Sequence, residues 1–123
     1  MIYLDNAATG GEKPAGVISA VLAATKVCAN PGRSGHALSV ACAQRVLACR
    51  DLLSELFDGY GFERVVFTKN CTEALNLALL GVLRAGDHVV TTCLEHNSVL
   101  RPLEHLRRTR KVSYDVAPLT GGR

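Results

Sequence analysis

The chain has 123 residues, 48% of them apolar and 20% charged, which fits one globular domain and leaves no room for two full ones. Fourteen Lys/Arg against eleven Asp/Glu give a net charge of +3, too mild a bias to point to nucleic acid. No apolar run reaches the ~18 residues that a bilayer span requires, and Met1-Ile2-Tyr3-Leu4-Asp5 lacks the basic and apolar regions of a leader, so a cytoplasmic chain is expected.

In chain order, a short apolar start runs into Asn6-Ala7-Ala8-Thr9-Gly10-Gly11, small residues that suit a loop approached closely by another group. Pro14 suits a first helical turn, and a helix is expected over about 15–28, with Val17, Val21 and Ala24 on one face. Asn30-Pro31-Gly32-Arg33-Ser34-Gly35-His36 reads as a loop. From Ala37 to Phe57, Leu38, Cys42, Val46, Cys49, Leu53 and Leu56 recur every three or four residues, which predicts a helix burying that stripe. Asp58-Gly59-Tyr60-Gly61 ends it.

The rhythm then changes. Arg64-Val65-Val66-Phe67-Thr68 reads as a buried strand, residues 70–83 as a helix with Gly86 placed for its stop, and His88-Val89-Val90-Thr91-Thr92 as a second strand. Residues 98–108 read as a helix with Pro102 in its first turn, and Lys111-Val112-Ser113-Tyr114-Asp115-Val116 as a third strand. This alternation predicts an α/β fold, an N-terminal helical arm over 1–61 followed over 62–123 by the start of a largely parallel sheet.

Five cysteines, an odd number without a C-x-x-C pair, argue against a disulfide framework or zinc ribbon and fit a reduced compartment. Four histidines show no metal-ligand spacing, so no metal site is expected; His88 and His105 read as structural or solvated. Ligands of open α/β sheets bind beyond the carboxyl ends of the strands. Two polar loops leave such ends here, 69–73 and 94–98. The first opens a helix, so its free N–H groups, the Thr72 hydroxyl and nearby Lys69 suit a phosphate. Asn70 and Glu73 equally make a plain capping box, which spacing alone favours. In the second loop His96 is either an ordinary loop histidine bonded to backbone or an imidazole that stacks on a flat ring or moves a proton. Together the loops suggest a planar phosphorylated ligand, with phosphate at Cys71–Thr72 and a ring under His96, a geometry that suits pyridoxal phosphate. The Arg33–His36 loop is an anion site or a helix entry turn. Arg101, Arg107, Arg108, Arg110 and Lys111 read as a solvated basic face.

The ordered motifs Tyr3-Leu4-Asp5-Asn6-Ala7-Ala8-Thr9, Asn30-Pro31-Gly32-Arg33-Ser34-Gly35-His36, Phe67-Thr68-Lys69-Asn70-Cys71-Thr72-Glu73-Ala74-Leu75-Asn76, Gly86-Asp87-His88-Val89-Val90-Thr91-Thr92 and Glu95-His96-Asn97-Ser98-Val99-Leu100-Arg101-Pro102 span essentially the whole chain. This closely resembles the cysteine desulfurases of the class V aminotransferase family, pyridoxal-phosphate enzymes with the aspartate-aminotransferase-like fold (fold type I). The resemblance implies that Cys71 and Thr72 bind the cofactor phosphate and that His96 stacks on the pyridine ring. It places Ala8 on the substrate side and His36 in a loop near the active site at a dimer interface. It also implies L-cysteine as substrate, a homodimer, a sulfur-acceptor protein and a role in sulfur metabolism such as iron–sulfur cluster assembly. Another class V aminotransferase or a selenocysteine lyase would share these motifs, and a non-catalytic phosphate-ligand-binding or assembly domain is the alternative of a different class.

The family's Schiff-base lysine lies in a Ser-x-His-Lys context, and none of Lys13, Lys26, Lys69 or Lys111 matches it. The aspartate that pairs with the pyridinium nitrogen and the late catalytic cysteine have no counterpart either. The chain is therefore expected to be the N-terminal portion of such an enzyme, ending mid-pattern at Leu119-Thr120-Gly121-Gly122-Arg123, and inactive by itself.

Overall fold

A computed structural model of the chain describes residues 2–119 and 121; Met1, Thr120, Gly122 and Arg123, which belong to the opening and closing stretches read above, lie outside the described residues. The chain divides into two compact units, 1–66 and 67–123.

The first unit holds α1 (Ala15–Thr25), α2 (Ala37–Leu56) and a single 3-10 turn at Phe62–Arg64. Its opening loop is tied to itself. The Tyr3 hydroxyl donates to the Thr9 carbonyl at 2.8 Å, and the Gly11 N–H donates to Asn6 Oδ1 at 3.0 Å. The Tyr3 ring passes so near Gly11 that a Cβ there would lie 2.7 Å from it, so this turn requires glycine. Pro14 stands at the N-cap of α1, one position before the first helical turn.

The first turns of α2 gather the loop before it. His36 is the N-cap, its Nδ1 accepting from the Ser39 N–H at 3.2 Å; the Ser39 hydroxyl donates to the Asn30 carbonyl at 2.6 Å. Cys42 Sγ donates to the Val27 carbonyl and accepts from the Ala29 N–H. At the far end, Ser54 Oγ accepts from the Gly61 N–H at 3.0 Å and so folds the 57–61 turn back onto the helix. The stripe predicted as core on this helix is not buried. Leu38, Val46, Cys49 and Leu56 are exposed, Cys42 and Leu53 are half-buried, and the buried residues of α2 are Ser39 and Ser54. An apolar stripe becomes core only where another element covers it, and the element that α2 meets among the described residues is the single turn Phe62–Arg64, too short to cover the stripe.

The second unit runs α3 (Cys71–Val82), β1 (His88–Thr92), α4 (Asn97–Arg110) and β2 (Ser113–Ala117). The strands pair in parallel, His88 opposite Ser113 through Thr92 opposite Ala117, with α4 as the crossover. The expected parallel α/β architecture is thus present, but its first predicted strand is not. Residues 65–68 form no ladder, because the described sheet has only the two strands β1 and β2 and a strand exists only by pairing. Gly86 also differs from its expected place. α3 stops at Val82, and Gly86 (φ 91°) instead forms the turn in which the Asp87 carboxylate accepts from the Arg84 N–H at 2.7 Å.

The apolar core sits on α4 and the turn after it: Leu103 and Leu106 are 0% exposed and Val112 1%. α4 begins at Asn97, so Pro102 falls in the second helical turn and not the first; it is buried and leaves the Ser98 carbonyl without its helical donor. α4 packs against both α3 and β2. At its end, Arg110 Nη1 donates to the carbonyls of Leu80 and Leu83, at 2.8 and 3.3 Å. These are carbonyls that the end of α3 leaves unpaired, so one guanidinium caps α3 and fastens it to α4.

Leu103→Ala removes a fully buried side chain from this small core. The expected cost is about 2–5 kcal/mol, read from the urea midpoint of the purified chain; an unchanged midpoint would contradict the placement of the core.

Candidate functional site

α3 and α4 begin at the same end of the second unit. Arg110 joins their C-terminal ends, and Thr72 near the start of one helix lines the same cleft as His96 at the start of the other. The cleft has a volume of about 480 Å³, in the range that holds a small ligand. Its walls follow helical spacing. Thr72, Asn76 and Leu80 come from α3, each four residues after the last; Asn97, Arg101 and His105 repeat the same step on α4.

At the start of α3 the predicted cap forms in a shifted version of the capping box, with Glu73 reaching the residue before the N-cap Asn70. Asn70 Oδ1 accepts from the Glu73 N–H at 2.9 Å, and Glu73 Oε2 accepts from the Lys69 N–H at 2.7 Å. The two readings of this loop are therefore compatible. The cap takes the third N–H of the helix and leaves those of Cys71 and Thr72, the first two, which have no intrahelical acceptor. Asn76 Nδ2 donates to the Thr72 carbonyl at 2.8 Å, steadying that turn from within the cleft. Cys71 and Thr72 are both exposed.

His96 is the N-cap of α4. Its Nδ1 accepts from the Ser98 N–H at 3.1 Å and lies 3.0 Å from the Ser98 hydroxyl. In the neutral ring the proton is then on Nε2. The cap fixes the ring's position while leaving its faces unbonded. Thus the ordinary reading of His96, a histidine bonded to backbone, holds geometrically and also presents the ring to the cleft.

Thr72 and His96 are brought together, and Cys71 adjoins Thr72. Lys69, singled out for its charge, does not line the cleft, whereas Arg101 and His105 do. These two were read as solvated or structural. The signal for them lay in the matched four-residue steps 72, 76, 80 and 97, 101, 105, which acquire meaning only once the two helices are set side by side. In the first unit, Ala8 lies in the opening loop, its N–H donating to the Asp5 carbonyl at 3.2 Å, and His36 caps α2. The 33–36 segment therefore has the geometry of a helix entry turn.

On α4, Glu104 is held by two arginines. Arg107 donates through Nε and Nη2 at 2.8 and 2.9 Å, and Arg108 through Nε at 2.6 Å. These bonds hold its carboxyl well below the usual carboxylate range, at about 2, and push the Arg107 guanidinium up.

A parallel strand–helix–strand unit with a cleft between two helix starts defines the second unit as the beginning of an α/β domain. The family model for class V aminotransferases matches residues 2–123, and the chain belongs to that family. It is 36% identical over 107 residues to a probable cysteine desulfurase of Synechocystis, covering 83% of this chain and 25% of the relative. It superposes with a TM-score of 0.80, at 34% identity, on the apo structure of a cysteine desulfurase from Thermococcus onnurineus, covering 94% of this chain and 29% of that one. A C-DES variant with glycine covalently linked to its PLP cofactor shares the fold, with a TM-score of 0.69 at 20% identity over 86% of this chain and 28% of that one. The chain thus spans 25% to 29% of the length of these proteins. The resemblance read from the motifs is borne out. No helix among the described residues is long and apolar enough to cross a membrane.

The Glu104 carboxyl has a lowered pKa, so its stabilisation is whole above the ordinary value of 4.5 and is lost as pH falls through about 2. A carboxyl-carbon NMR titration is expected to place the Glu104 midpoint near 2; a midpoint near 4.5 would mean that the arginines do not hold it.

Proposed function

We propose that this chain carries the phosphate-and-ring wall of a pyridoxal-phosphate site belonging to a cysteine desulfurase-like enzyme. The observation that carries the reading is the shared cleft of Thr72 and His96, set at two helix starts. The donor set fits the group. The amides of Cys71 and Thr72 and the Thr72 hydroxyl suit phosphate oxygens, and the His96 ring, pinned through Nδ1, offers a face to a pyridine. When bound, pyridoxal phosphate supplies an electron sink for an amino-acid substrate.

In the whole enzyme the reaction would take L-cysteine to L-alanine and pass its sulfur to an enzyme thiol as persulfide. Ala8 and His36 would serve on the substrate side of a homodimer, in a cytoplasmic enzyme feeding a sulfur-acceptor protein and iron–sulfur cluster assembly. The chain alone is proposed to be inactive, since none of Lys13, Lys26, Lys69 or Lys111 stands in the family's Schiff-base lysine context. The arm over 1–61 and the sheet-domain start over 62–123 remain the proposed domain division.

The Thr72 hydroxyl is one donor among several to the phosphate. Thr72→Ala is expected to weaken pyridoxal phosphate binding about tenfold, followed by the change in cofactor absorbance on titration. Unchanged affinity would overturn the phosphate assignment.

A further inference from the structure

We propose that Arg101 is a phosphate-binding residue of the α3–α4 cleft, supplying the full positive charge that the helix starts lack. The proposal rests on the reading of the cleft as a phosphate site and names the group that completes it.

The first ground is charge. A phosphate monoester carries about −1.5 to −2 at pH 7. Each helix start contributes roughly +0.5, so α3 and α4 together supply about one positive charge, and a hydroxyl and two amides add none. Lys69, the cation next to the loop in sequence, does not line the cleft. Arg101 does, one helical turn after Asn97 and across from Asn76.

The second ground is availability. A surface arginine is most often engaged by a carboxylate three or four residues away on its own helix. For Arg101 that carboxylate is Glu104, and Glu104 is already taken by Arg107 and Arg108 through three bonds of 2.6 to 2.9 Å. No Asp or Glu lines the cleft. Among the described residues Arg101 has no ion pair. Glu104 thus neutralises Arg107 and Arg108, which do not line the cleft, and leaves Arg101, which does, without a carboxylate partner. Arg101 also presents a planar fork of donors, which matches two oxygens of one phosphate.

The test titrates the 123-residue chain with inorganic phosphate and, separately, with acetate, with pyridoxal phosphate and with pyridoxal lacking its phosphate, reading binding by calorimetry and folding by circular dichroism. Arg101→Gln is expected to weaken phosphate binding about tenfold or more while leaving pyridoxal affinity and the melting curve unchanged. Arg101→Lys should retain part of the affinity, and Arg107→Gln, which removes the same charge from a residue tied to Glu104, should leave it unchanged. Equal losses in Arg101→Gln and Arg107→Gln would mean general charge attraction and overturn the proposal. So would an Arg101→Gln chain that binds phosphate normally, or one that loses acetate and keeps phosphate. A chain that binds phosphate through Arg101 yet shows no ring-dependent gain for pyridoxal phosphate would refute the cofactor reading and leave this proposal standing.

Discussion

The second unit depends on the way α3 and α4 are held side by side with their starts at one end. Parallel helices place like dipole ends together, which is unfavourable by itself. Here two things offset it. Arg110, at the end of α4, takes two carbonyls at the end of α3, and Leu103 and Leu106 of α4 are fully buried. The other consequence appears at the opposite end, where two positive ends converge on one cleft. The arrangement that costs electrostatic energy without a ligand is the one that gains most from an anion.

The helix starts are prepared for this by different caps. Asn70 and Glu73 close α3 without consuming its first two amides, and His96 closes α4 with a ring nitrogen. Each cap is needed for its helix to begin where it does, and each leaves a group facing the cleft. On the proposed function, local folding and ligand chemistry are served by the same residues, and the capping bonds are compatible with that role.

What was legible in the sequence was what local chemistry decides. Asn70 and Glu73 mark a helix start at any tertiary setting, and the His88–Thr92 and Ser113–Ala117 strands stand close to where alternation with helices put them. What was not legible needs a partner. Residues 65–68 have strand composition, but no ladder forms along them among the described residues. The α2 stripe has helix periodicity, yet Leu38, Val46 and Leu56 stay exposed because periodicity says which face is apolar and not what covers it. Arg101 and His105 were hidden for a related reason. Along α4 they belong to a charged run, and only the juxtaposition with Thr72, Asn76 and Leu80 turns them into a wall of the cleft.

The central claim is that one ligand is held at both helix starts at once. Amide and imidazole NMR signals of the chain, followed during titration with pyridoxal phosphate, test it most directly. The Cys71 and Thr72 amides and the His96 ring are expected to shift together and to saturate at one common concentration. Shifts confined to lysine side chains, or His96 moving independently of Thr72, would contradict it.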